Sequence, residues 1–245
     1  METTLPTDVA RATIKPGFAW DDQDADVFDI DGTLTRSRDR VHFTSFARSV
    51  AEVTGIELSL AGVSLHGNTD TGILREAWRL AGLADAALDA QEAAIQAGMC
   101  RYVADHRGEM ELAIMAGVPA VLEYLAERGA LLGLGTGNLE EVGWTKMEQA
   151  GLRKWFRFGG FSDRFPMRSE LIGDAARQAR ELAGAEARVC VVGDTPRDIE
   201  AARANSLPVI AVATGNFSFE ALLELEPEVC ATSLADLMAL TRSAP

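Results

Sequence analysis

The chain has 245 residues, 47% hydrophobic and 24% charged, enough for one large domain or for a core with a smaller companion. Its 37 acidic residues against 23 basic ones leave a net charge of -14, which argues against nucleic acid or an anionic membrane surface as partner. An anionic ligand would need a local cation to overcome that field, so a metal or a well-placed Arg or Lys is implied.

The opening METTLPTDVARATIKPGFAW lacks the apolar segment of a signal peptide and reads as a loosely held extension over residues 1–20. No apolar run approaches the ~20 residues needed to span a membrane, so a cytoplasmic protein is expected. DVFDI predicts the first strand, and Asp24 and Asp26 suggest that it starts short or at an exposed edge. Between residues 38 and 111 there is no convincing strand pattern. HFTSFARSVAEVTG, DTGILREAWRLAG and ADAALDAQEAAIQAGMCRYVADHRG are helix-like and read as a separate helical lobe. VPAVLEYLAERG has Pro119 in its first turn and closes on Gly129, the polarity of a helix.

LLGLG, VCVVG and PVIAVAT then read as buried strands, alternating with helices at EEVGWTKMEQAG, SELIGDAARQARELAG and IEAARAN. Such alternation predicts an α/β fold, a Rossmann-like parallel sheet covered on both faces. The expected core is discontinuous, residues 21–37 and 112–245. The insert at 38–111 lies over the carboxyl ends of the strands, where open α/β sheets bind ligands. Cys100, Cys190 and Cys230 have no disulfide or zinc spacing and read as reduced residues.

The strand ends carry the chemistry. After DVF come Asp29 and Asp31; after LLGLG come Thr136, Gly137 and Asn138; after VCVVG come Asp194 and then Asp198. In a parallel sheet these share one edge. Carboxylates so close raise each other's pKa and are costly beside an apolar core. Ionised carboxylates gathered in this way favour Mg2+ over softer metals. Thr195, Pro196 and Asp198 have the form of a capping box. Asn138 with Glu141 has the same form, so Asn138 reads as a cap as readily as a site residue. HGNTD, with His66 and Asn68, is a loop between insert helices that ends on a capping signal at Asp70. His42, His66 and His106 share no ligand spacing, and Arg36, Arg38, Arg40 and Arg75 read as solvated charges. GLGTG lacks the Walker lysine and the dinucleotide spacing.

Four motifs in order, DIDGTLT, GLGTGN, the Arg of FPMRSEL and VVGDTPRD, resemble those of the haloacid dehalogenase (HAD) superfamily, in its phosphatase branch with a helical cap inserted after the first motif. The likeness runs from about residue 22 to the C-terminus. The first and last motifs are specific; the middle two gain weight from their order and spacing.

The resemblance implies a Mg2+-dependent phosphatase acting on a small phosphorylated metabolite, phosphoglycolate-like or a sugar phosphate, through an aspartyl-phosphate. It implies Asp29 as nucleophile, Asp31 as general acid and base, and Mg2+ held by Asp29, the Asp31 carbonyl and Asp194. Gly32 and Thr33 would shape the loop at the phosphate, and Asp198 would support the metal. Thr136 would bind a phosphoryl oxygen, with the neighbouring amides of Gly137 and Asn138 helping. Arg168, 26 residues before Asp194, stands where most relatives have Lys, and Lys146 is the second candidate for that cation. The HGNTD loop, Asn68 included, would read the substrate from the cap. Rival readings are a phosphosugar mutase, a pyrophosphatase and a non-catalytic metabolite-binding module. A dehalogenase is disfavoured by the second aspartate. Monomer and homodimer both stay open.

Overall fold

The computed structural model describes residues 11–241. Seven strands form one sheet in the order β1 (Ala12–Ile14), β9 (Val229–Ala231), β8 (Val209–Val212), β7 (Val189–Gly193), β2 (Ala25–Phe28), β5 (Leu131–Gly135), β6 (Phe156–Gly160). Neighbours run parallel throughout except β1, which is antiparallel to β9. The strands are near-continuous apolar runs because both faces are covered. Val27, Val191 and Ala211 point to one core, shared with the helices α7 (Arg168–Ala183) and α8 (Pro196–Ala204). Phe28, Val192 and Val212 point to the other, shared with α5 (Val118–Glu127) and α10 (Leu234–Thr241).

A two-stranded ribbon, β3 (Thr35–Ser37) antiparallel to β4 (Leu112–Ile114), leads out of this sheet and back. Between its strands the chain is helical: α1 (Val41–Thr54), α2 (Asp70–Leu80), α3 (Asp85–Asp89) and α4 (Glu92–Asp105). This insert has its own apolar cluster, built on Phe46, Val50, Trp78, Ile95 and Met99. The cluster also takes in Leu139 and Val142 at the start of α6 (Glu140–Gln149). The insert is thereby fixed on the helix that follows the Thr136 loop. A short helix, α9 (Phe219–Leu223), lies between β8 and β9.

Three expectations are corrected. The extension expected over residues 1–20 is sheet-bound where it is described, since Ala12, Thr13 and Ile14 pair with Ala231, Cys230 and Val229; residues 1–10 lie outside the described residues. The strand after Asp24 is short as expected, four residues from Ala25, but its start is not at an exposed edge: it lies mid-sheet, between β5 and β7, with Asp26 fully buried. Asp24 is tied at the lip by Arg188, whose amide and guanidinium both reach it. The strands β6 and β9 add to the four expected from apolar runs. All three cysteines are free, Cys190 and Cys230 buried.

Candidate active site

The carboxyl ends of β2, β5 and β7 open on one cleft. Asp29 directly follows β2, and its amide donates to the Val192 carbonyl of β7 at 2.9 Å, which holds it at the strand end. The chain then turns at Gly32, where φ is +98° and a Cβ would come within 2.4 Å of the Asp194 carboxylate. Glycine is required there on both counts. Thr33 Oγ1 donates to Asp194 Oδ1 at 3.0 Å, and Thr214 Oγ1 donates to the Gly32 carbonyl at 2.6 Å. Gly32 and Thr33 therefore act behind the cleft, bracing Asp194 against the Asp29 loop.

Two buried cations divide the carboxylates between them. Arg168, at the first position of α7, pairs its Nη2 with Asp29 Oδ1 at 2.9 Å and its Nε with Asp198 Oδ1 at 2.9 Å. Lys146, on α6 and 1% exposed, donates to Asp31 Oδ2 at 2.6 Å and to Asn138 Oδ1 at 2.7 Å. Asn138 Nδ2 completes this second network, donating to Asp31 Oδ2 at 2.8 Å and to Thr136 Oγ1 at 2.7 Å. Thr136 Oγ1 accepts there and keeps its own proton to offer into the cleft. Asn138 is thus a site residue: the cap position of α6 is Leu139, with no side-chain cap. Asp70 is likewise not the cap of α2. Thr69 is, and the Asp70 carboxylate instead accepts from the Leu139 amide and pairs with His42.

Burial pushes the Asp29 carboxyl up to about 6; Arg168 opposes the rise, while Asp198 and Asp31 add to it. Burial and the charges of Asp29 and Asp198 push Asp194 up to about 8. Asp31 goes the other way. Desolvation raises it, but Lys146, His42 and the bonds from Lys146 and Asn138 outweigh that and hold it below the usual carboxylate range. For Arg168, burial favours loss of the proton, yet Asp198 and Asp29 keep its pKa above even the usual arginine value.

Asp29, Asp194 and Asp198 each offer a carboxylate oxygen within 4.8 Å of the others, an all-oxygen donor set suited to a hard divalent cation. Asp198 is the least available of the three. Its Oδ1 takes Arg168, and its Oδ2 takes the amide and hydroxyl of Thr195 in the capping box of α8. The repulsion between Asp29 and Asp194 is what a bound cation would relieve, so the residues fit a metal.

The cleft, about 230 Å³, is lined by Asp29, Asp31, Thr136, Gly137, Asn138, Lys146, Arg168 and Asp194, with Asn68 from the insert. Gly137 also lies against the insert: a Cβ on it would come within 2.3 Å of the Asn68 carbonyl. Sequence reasoning missed His42, Asp39 and Asn216, and left His66 undecided between loop cap and cleft; all four line the cleft. Asn216 follows the fourth core strand and could have been sought there. Arg36 and Arg75 are occupied elsewhere, on the Thr214 carbonyl and on Asp89 and Glu92.

The family model described as haloacid dehalogenase-like hydrolase matches residues 24–205, about three-quarters of the chain. The chain belongs to the haloacid dehalogenase-like hydrolases. It is a phosphatase of this family, similar to the phosphoglycolate phosphatases. It is 27% identical to a phosphoglycolate phosphatase of Agrobacterium fabrum over 217 residues, covering 86% of this chain and 89% of that one. A phosphoglycolate phosphatase of Rhodospirillum rubrum is 28% identical over 203 residues, 77% of this chain and 79% of the relative. In fold, the hydrolase resembles the crystal structure of a predicted phosphoglycolate phosphatase from Haemophilus somnus. The TM-score is 0.66 at 17% identity, with 89% and 98% of the two chains covered. Among the described residues no helix is long and apolar enough to cross a membrane.

Proposed function

We propose that this protein is a Mg2+-dependent phosphatase of a small phosphorylated metabolite, phosphoglycolate-like or a sugar phosphate monoester, acting through an aspartyl-phosphate on Asp29. The observation that carries this reading is the division of labour in the cleft. Asp29 is bound by a guanidinium on one side and faces Asp194 on the other, while Asp31 is held apart by Lys146 and Asn138.

A carboxylate oxygen of Asp29 attacks phosphorus, and the bond from phosphorus to the ester oxygen breaks. Asp31, ionised beside Lys146 in the free protein, takes up a proton from the monoanion of the bound monoester and gives it to the departing alkoxide. The Asp31 carboxylate then takes a proton from water, whose oxygen attacks the same phosphorus, and the bond to Asp29 breaks to yield inorganic phosphate. Arg168, Lys146 and the Thr136 hydroxyl neutralise and orient the phosphoryl oxygens. Asp29, Asp194 and the Asp31 carbonyl would hold Mg2+, which supplies positive charge at the nucleophile and the transferring group.

In this reading residues 38–111 form a cap over a core of residues 21–37 and 112–245. Their His42, His66 and Asn68 contact the part of the substrate beyond the phosphate. A cleft of about 230 Å³ is smaller than the roughly 300–1,000 Å³ of sites for drug-sized ligands, which favours a substrate of few atoms. The free thiols of Cys100, Cys190 and Cys230 accord with a cytoplasmic enzyme. The test is phosphate release from a panel of monoesters, with phosphoglycolate and pyrophosphate among them, in Mg2+ and in chelator. Metal-dependent turnover of a small monoester is expected. Isomerised sugar phosphate without free phosphate would refute hydrolysis in favour of a mutase.

A further inference from the structure

We propose that Arg168 couples the seating of the insert loop at residues 65–69 to the orientation of Asp29, with the Gly67 carbonyl as the group it senses. The proposal rests on the reading of Asp29 as the nucleophile. A guanidinium presents its N–H groups in one rigid plane, so fixing one edge aims the others. Here Nη2 is on Asp29, Nε and Nη2 are on Asp198, and Nη1 donates to the Gly67 carbonyl at 3.3 Å. The side chain is 8% exposed, so water does not readily replace a lost partner.

The loop that supplies Gly67 is pressed onto the core. Gly67 has φ of +68°, and a Cβ on it would come within 2.7 Å of Thr195 Oγ1. Thr69 Oγ1 donates to the Pro166 carbonyl at 2.7 Å, just ahead of Arg168. The Asp70 amide donates to the Gly137 carbonyl at 2.7 Å, beside the phosphate-side Thr136. Lifting the loop removes the Nη1 partner and frees the guanidinium plane to turn about its two carboxylates. A lysine at this position would keep the positive charge on Asp29 and Asp198. Its single ammonium would not also span to the insert carbonyl as a planar fork does. Arg168 is in this respect a positioning residue, and the arginine is what ties nucleophile geometry to the insert.

The test uses the full chain as native protein, R168K, G67A and the double variant, with amide hydrogen exchange and steady-state kinetics on the best monoester. R168K is expected to speed exchange at residues 65–70 by about tenfold while β2, β7 and α7 keep native protection. It is expected to lower kcat with a smaller change in KM. The double variant should lose no more kcat than the worse single one, since both break one link. Native exchange at 65–70 in R168K, or losses that multiply in the double variant, would overturn the proposal. If R168K loses core protection, G67A decides. The Arg168 Nε–H resonance must then shift and exchange faster, and an unmoved resonance overturns the coupling. A native protein that releases no phosphate from any monoester refutes the phosphatase reading instead, and the exchange and resonance measurements still decide the link.

Discussion

Lys146 Nζ sits 2.6 Å from Asp31 Oδ2 on a side chain that is almost wholly buried, and no sequence motif marks the pair. The ammonium gives Asp31 an electrostatic setting opposite to that of Asp29, two residues away. One carboxyl titrates below the usual range and the other near 6. Two roles for two neighbouring aspartates require such a separation.

Replacing Lys146 by Met keeps the length of the side chain and removes the charge. Desolvation then acts on Asp31 with less opposition, so its pKa rises. The acidic limb of the kcat/KM profile should move to higher pH, and kcat should fall about 10- to 100-fold. A K146M profile that overlays the native one would show that the ammonium does not set the protonation of Asp31.

Asp26 offers a test away from the cleft. It is fully buried in β2, both carboxylate oxygens lack a hydrogen-bond partner, and burial raises its pKa to about 8. The folded protein keeps a proton that the unfolded chain gives up near pH 4. The stability from that proton is full below about pH 4 and is lost as pH rises through about 8. Asp26→Val removes the polar group at similar volume. It should stabilise the protein by about 1–3 kcal/mol at about pH 8.5 and by less at about pH 5, read from denaturant midpoints. Equal gains at both pH values would contradict a buried, protonated carboxyl.

Metal binding should displace protons. Without a cation, Asp29 and Asp194 titrate near 6 and 8, so at neutral pH they hold about one proton between them, which a metal must expel. Calorimetric titration of Mg2+ in buffers of different ionisation enthalpy should therefore give release of about one proton. Affinity should climb as pH rises through this window, and Asp194→Asn should abolish the signal. Binding that is independent of pH would place the metal elsewhere.

The positions of Asp29, Asp31, Thr136 and Asp194 were legible because strand ends are written locally. An apolar run stops, a glycine or polar group follows, and parallel strands bring such ends to one edge. The capping box of Thr195 and Asp198 was legible for the same reason, since cap and partner are three residues apart. Asn138 and Asp70 carried equally good capping signals, yet their side chains serve contacts over 60 residues distant in sequence, with Asp31 and with Leu139. Spacing does not register such competition. The choice between Arg168 and Lys146 was likewise beyond it, because both cations reach the cleft, each on a different carboxylate. His42 and His66 were hidden for a further reason: their placement depends on how the helical insert docks on α6.

The central claim is that the phosphoryl group passes through Asp29. It is tested most directly by acid-quenching the enzyme during turnover of a monoester with a radiolabelled phosphoryl group. The account predicts label on the protein, in the peptide that holds Asp29. More of it should build up in Asp31→Asn, where the water-activating base is missing, and none in Asp29→Asn. Turnover without protein-bound label, with Asp29→Asn as active as the native enzyme, would contradict it.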